Sequence, residues 1–178
     1  MTLLAIALAS RMPTVHLIHG YLGVGKTTFA RRLEREIRAV RFSPDEWLTR
    51  LYGDDPPAER FDDFMTRVFD IANEQWRAVV RCGADVILDY GFWTRSWRDA
   101  ARAGAAELGA DVRLYALSCP EELARHRIQE RNRNLRGSVF VADATYDALK
   151  SHFLPLQADE LTGVVHVDTT GAAVRCPE

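Results

Sequence analysis

A chain of 178 residues that is 47% apolar and 27% charged has the make-up of a folded globular protein, not a disordered one. Its formal net charge of −2 disfavours a protein held on nucleic acid or anionic membrane by bulk positive charge. Three scattered cysteines, Cys82, Cys119 and Cys176, form neither a metal-ligand spacing nor a disulfide framework, which points to a reducing, cytoplasmic setting. Of the 23 basic residues only Lys26 and Lys150 are lysine, so a lysine at a critical position asks for a reason.

The start, Met1 to Met12, carries an apolar run too short for the roughly 20 residues of a membrane span and has no basic stretch before it. It reads as an N-terminal extension (residues 1–12) on a single domain spanning 1–178. Val15 to Ile18 is a buried strand ending in Gly20, and Lys26 to Arg38 a helix with Phe29, Ala30, Leu33 and Ile37 at helical spacing. Val40 to Phe42 is a brief strand, after which Pro44 opens a short helix. A loop at Gly53–Pro57 precedes a long helix, with Phe61, Phe64, Val68, Ile71 and Trp76 expected on one side. Strands at 86–88, 112–117 and 164–167 alternate with helices at 96–108, from Pro120, and at 143–154. Five short strands with helices between them give an α/β fold, a parallel sheet covered on both faces.

Residues 20–27 read Gly-Tyr-Leu-Gly-Val-Gly-Lys-Thr, the G-x-x-x-x-G-K-[ST] pattern of a phosphate-binding P-loop. Glycines let the backbone curl so that several N–H groups face one phosphate chain, and the helix that starts there adds the positive end of its dipole. Gly20, Tyr21, Leu22, Gly23, Val24, Gly25, Lys26, Thr27 and Thr28 form the expected ATP-binding set. Lys26 reaches the β- and γ-phosphates, and the Thr27 hydroxyl is a ligand for Mg²⁺. Asp89 ends an apolar strand, as a metal-holding carboxylate does, or as a turn residue does. Asp45 follows the second strand, where a carboxylate can take a proton from an attacking hydroxyl or simply favour a helix start; Glu46 is the alternative. Five arginines, at 125, 127, 131, 133 and 136, face one acid, Glu130, in a segment that is either a solvated helix face or a lid. Trp47, Phe92, Trp93 and Trp97 are candidates for an aromatic rim or for core. Arg50, Arg95 and Arg98 are candidates to bind an anionic acceptor or to face solvent. His16 and His19 read as packing or hydrogen-bonding residues.

On the P-loop, Phe42-Ser-Pro-Asp45, Val86-Ile-Leu-Asp89-Tyr-Gly-Phe-Trp93, the Arg127–Arg133 run and Val167-Asp-Thr-Thr170, the chain resembles small P-loop kinases of the zeta-toxin, chloramphenicol phosphotransferase and polynucleotide kinase type. The resemblance spans Thr14 to Thr170. It implies strand order 2-3-1-4-5 and an Arg-rich lid over about 127–142. It also implies transfer of the ATP γ-phosphoryl group, with Mg²⁺, to a small-molecule hydroxyl acceptor. Within it Asp45 orients or deprotonates the acceptor, Arg127 stacks on adenine, and Arg131, with Arg133 or Arg136, meets the transferred group. The backbone at Thr169 borders the base. The polynucleotide kinases carry a basic residue three positions after the strand-2 Asp, where this chain has Leu48. That departure disfavours nucleic acid as the acceptor. The resemblance leaves the acceptor's identity and the oligomeric state open.

Overall fold

A computed structural model describes residues 11–135 and 138–171. Residues 1–10, Arg136 and Gly137, which the sequence reading placed in the N-terminal extension and the lid, lie outside the described residues. The strands are β1 (Thr14–His19), β2 (Val40–Phe42), β3 (Val86–Gly91), β4 (Asp111–Ser118) and β5 (Val165–Asp168). They form one all-parallel sheet in the order β2-β3-β1-β4-β5. The helices are α1 (Lys26–Ile37), α2 (Pro44–Tyr52), α3 (Ala58–Arg81), α4 (Arg95–Glu107), α5 (Glu121–Asn132) and α6 (Asp143–Lys150), with a 3₁₀ turn at Ala158–Glu160.

Strand alternation sorts the core into two layers. Ile18, Ile87, Tyr115 and Leu117 meet Phe29 and Leu33 of α1, Ile128 of α5 and Tyr146 of α6. Val15, Leu17, Leu88 and Leu114 meet Trp76 and Val80 of α3 and Ala101 and Ala105 of α4. The sheet is therefore covered on both faces, which is why its central strands read as continuous apolar runs.

Two helices and one side chain differ here from the sequence reading. The buried stripe of α3 is Val68, Ala72, Trp76 and Val80, a strict four-residue ladder. Ile71 is off that ladder and half exposed, while Phe64 stacks on Tyr52 of α2 at 3.8 Å. Helix α6 stops at Lys150 instead of 154, because the next residues are drawn back to the sheet. Phe153 stacks on His19 at 4.9 Å, and the Leu154 amide donates to the Trp93 carbonyl at 2.8 Å. Arg98 neither faces solvent nor awaits an anion: it is fully buried, donating twice to Glu160 at 2.7 Å and to the Phe92 carbonyl at 3.1 Å. Arg102 donates to the same carboxylate at 2.9 Å. These arginines hold the Glu160 carboxyl well below the usual carboxylate range and pin the irregular 151–160 segment to α4.

His16 is buried on β1, its Nδ1 3.1 Å from the Tyr115 hydroxyl and its Nε2 without a partner. Burial pulls its pKa from 6.5 down to about 4. As pH falls, the unfolded chain takes up this proton first, so native stability present above pH 6.5 is lost between 6.5 and about 4. Relative to a His16→Gln variant, the native chain is expected to lose about 2 kcal/mol between pH 7.5 and pH 5 in urea unfolding. A gap between the two that stays constant with pH would remove His16 as the titrating group.

Candidate active site

The loop 20–25 lies at the carboxyl end of β1, the central strand, and leads directly into α1. Two of its glycines are dictated by geometry. Gly25 caps α1 at φ 89°, and Gly23, at φ 75°, is pressed so close to α5 that a Cβ would stand 2.3 Å from the Ala124 carbonyl oxygen. The loop is held from outside. The Gly20 amide donates to Gly91 O at 3.2 Å and the Trp93 indole to Gly20 O at 3.2 Å. The Thr169 hydroxyl, 3% exposed, donates to Val24 O at 2.8 Å.

Lys26 donates to Tyr21 O at 2.7 Å, and burial lowers its pKa although Asp89 and Asp45 oppose the shift. Asp89 lies inside β3, not at its end, and is buried. Thr27 hydrogen-bonds to it, and Arg41 of β2 donates to it at 3.3 Å. Burial pushes its carboxyl up to about 6, with Lys26, Arg41 and the Thr27 hydrogen bond restraining the rise. Thr27 and Asp89, the expected metal ligands, are thus brought together on the edge of the loop.

Asp45, in the first turn of α2, is reached by solvent yet ringed by protein atoms. That crowding raises its pKa against the pull of Lys26 and Arg131. Glu46 is otherwise engaged: Arg41 donates to both its oxygens at 2.9 and 2.7 Å and Arg31 donates at 2.8 Å, lowering its pKa. Arg131, in the last turn of α5, has a buried Nε with no hydrogen-bond partner, and its pKa is lowered by burial although Asp45 opposes the shift. Lys26, Asp45, Asp89 and Arg131 therefore share one electrostatic neighbourhood above the loop.

Arg127 lies on the other side of the loop, donating to the Thr169 hydroxyl at 3.1 Å and to its carbonyl at 2.6 Å. The structure separates Arg133 from this group. It is exposed and paired with Glu130, where its i,i+3 spacing on the outer end of α5 puts it. The aromatic candidates do not form one rim. Trp93 packs on Tyr21 at 5.3 Å beside the loop, whereas Phe92 and Trp47 belong to the core of the opposite face. Arg95 pairs with Asp159 and Asp99 at the surface, and Arg50 is exposed. Sequence reasoning missed Arg41, which ties Asp89 to Glu46. The alternation of β2, with Phe42 facing the α3 side, was the signal that would have turned it toward Asp89.

The residues fit a bound nucleotide and metal. The loop is walled by backbone that tolerates no side chain at Gly23, and Arg131 offers a buried donor with no protein acceptor. Among the described residues no group of three or more His, Cys, Asp or Glu side chains could hold a metal by itself. A metal at Thr27 and Asp89 would draw its remaining ligands from phosphate and water. No helix among the described residues is long and apolar enough to cross a membrane.

The chain is similar to several solved structures. A Chloroflexus aurantiacus protein provisionally assigned as a kinase matches with TM-score 0.71 and 16% identity, over 90% of each chain. The Mycobacterium tuberculosis APS kinase, solved with AMPPNP and APS, matches at 0.59 and 15%, over 90% of this chain and 91% of that one. A chain of the Pnkp1/Rnl/Hen1 RNA repair complex matches at 0.65 and 21%, over 80% of this chain and 44% of that one. At these identities the likeness shows the fold. No curated protein sequence matches. The family model described as AAA domain matches residues 15–156, which holds the P-loop, Asp45, Asp89 and the α5 arginines, and the chain belongs to that family, on the fold of the small P-loop kinases.

Proposed function

We propose that this protein transfers the γ-phosphoryl group of ATP to a hydroxyl of a small molecule, with Mg²⁺. The observation that carries the reading is Asp45. It is a carboxylate with no hydrogen bond among the described side chains, set between the charges of Lys26 and Arg131 above a phosphate loop. A module that only bound nucleotide would need neither this carboxylate nor a buried arginine facing it.

In this reading the loop amides and Lys26 hold the triphosphate, and Thr27 with Asp89 holds the metal. When bound, the metal offsets charge on the β- and γ-phosphates. Asp45 accepts the proton of the acceptor hydroxyl as that oxygen bonds to phosphorus, and Arg131 offsets the charge on the transferring group while ADP departs. Arg127 and Thr169 flank the base side of the loop. Arg133, exposed and paired with Glu130, has no part in this reading.

The RNA repair neighbour favours a second reading, a kinase of nucleic-acid 5′-hydroxyl ends. Leu48 argues against it: the position is fully buried, so no side chain there reads a substrate phosphate. The test is ATP consumption by the purified protein with no acceptor, with a panel of hydroxyl-bearing small molecules, and with a 5′-hydroxyl oligonucleotide. Consumption that rises only with a small molecule supports the proposal. A response only to the oligonucleotide supports the second reading, and none at all, with ATP bound, leaves a nucleotide-binding module. Lys26→Ala is expected to weaken MgATP binding about 10- to 10²-fold, the loss of one charge-assisted phosphate contact. Lys26→Arg should not restore it, because the planar guanidinium does not fit a site built around an ammonium. Isothermal titration decides this, and unchanged affinity in the alanine variant would end the phosphate-loop assignment.

A further inference from the structure

A second cavity lies on the reverse face of β3. It is a groove of about 570 Å³ between α3 and α4, within the roughly 300–1,000 Å³ range of small-molecule sites. Its floor is Leu88, Tyr90 and Phe92, the residues of β3 and its extension that alternate with Asp89 and Gly91. Asp89 and Gly91 face Thr27 and Lys26; Tyr90 and Phe92 face away from them. None of the loop residues 20–28, nor Asp45, Asp89, Arg127 or Arg131, lines the groove.

The lining has a definite chemistry. Phe69 meets Tyr90 edge-on at 5.1 Å and Trp97 at 5.4 Å, making an aromatic wall, and Trp97 is 46% exposed at the opening. The Tyr90 hydroxyl is buried without a hydrogen-bond partner, an arrangement that costs stability unless something else satisfies it. Asp62 and Asp70 stand at the mouth, and no cation among the described residues engages either carboxylate. The one basic residue of the lining, Arg77, is already taken: it pairs with Glu107 at 3.0 Å and lies over the Trp76 ring. The groove therefore combines π-faces, free negative charge and one unsatisfied hydroxyl. Positive charge is attracted by the first two, and a flat apolar body by the aromatic wall.

We propose that this groove is a binding site for a small organic cation with a flat, ring-bearing body, separate from the phosphate cleft. The inference does not rest on the kinase reading. A pair of tricyclic probes of opposite charge tests it, 9-aminoacridine and anthracene-9-carboxylate, titrated by fluorescence into the full chain without nucleotide. 9-Aminoacridine is expected to bind saturably with one site per chain, at least ~10-fold more tightly than the carboxylate. Trp97→Ala should weaken it about 10-fold by removing the ring at the opening. Tyr90→Phe, which keeps the floor packed, should weaken 9-aminoacridine about 3- to 10-fold by removing the hydroxyl as an acceptor for its amine. The exposed pair Asp62→Asn with Asp70→Asn should erase the preference for the cation, and Lys26→Ala should leave binding unchanged. Equal affinity for the two probes, absence of saturable binding, or displacement by ATP in competition would each overturn the proposal.

Discussion

Arg131→Ala is expected to lower kcat by about 10²–10³-fold, the usual cost of removing one group that stabilises transition-state charge, while raising the KM for ATP only a few-fold. The structure gives the reason for this asymmetry. The guanidinium is partly stripped of water, its Nε has no protein acceptor, and the opposing charge that acts on it is that of Asp45. A donor held in that condition gains most when negative charge moves toward it. Arg127→Ala should behave in the opposite way, raising the KM for ATP with less effect on kcat, because Arg127 bonds Thr169, which the proposed reading sets on the base side of the loop. Steady-state kinetics on both variants, with an acceptor found by the consumption assay, distinguishes the two. Changes under about 3-fold in every constant for both variants would make the cluster a solvated helix face.

Asp45→Asn is expected to leave ATP affinity within a few-fold and to cut phosphotransfer by about 10²–10⁴-fold, the range for loss of a general base. The amide keeps the shape of the carboxylate and loses its charge and basicity. Glu46 cannot take over, because Arg41 and Arg31 occupy its oxygens and hold its pKa down. Glu46→Gln should therefore act on the setting of Arg41 and leave most of the turnover intact. Should Asp45→Asn instead lower ATP affinity as much as turnover, the carboxylate serves the metal, and Asp89 becomes the acceptor-side group.

The helix-covered parallel sheet and the position of the phosphate loop were legible because both rest on local signals, short apolar runs and glycines fixed by backbone geometry; the strand order came only from the resemblance to small P-loop kinases, and the sheet has that order. The strand-to-helix junction at residues 20–26 is where the motif places it. Other features depend on partners far along the chain. Arg98 looks in sequence like any surface arginine beside Arg95, and only the arrival of Glu160, 62 positions later, makes it a buried ion pair. Ile71 fits a loose amphipathic stripe, yet the four-residue ladder from Val68 to Val80 leaves it outside. Helix α6 has helix-forming residues to 154, but packing of Phe153 on His19 ends it early. Within the candidate site, Lys26 and Thr27 were identifiable from the loop motif and Asp45 and Asp89 as carboxylates placed beside predicted strands, whereas Arg131 was singled out only by the resemblance. Arg41 was missed, although the alternation of β2, with Phe42 turned to the α3 side, sets it on the face of Asp89. Arg133 could not be told from Arg131 without the helical phase of α5.

The loop at residues 20–25 is an early piece of chain with late supports. Gly20 is held by Gly91 and Trp93, Gly23 is pressed against Ala124, and the Val24 carbonyl accepts from Thr169. During synthesis at about 5–20 residues per second, the chain out to Thr169 follows the loop by roughly 7–30 s. Throughout that interval the phosphate site has no complete walls. Under the proposed function, ATP, however abundant, has little to bind on a partial chain and cannot template its folding. It can lock the product only after β5 has docked, by mass action on the finished fold. The dependence of the earliest functional segment on the latest strand also makes these contacts long in sequence, a topology that folds slowly and as a unit. A chain cut short before Thr169 would thus keep the whole motif in its sequence and lose the support that closes the loop.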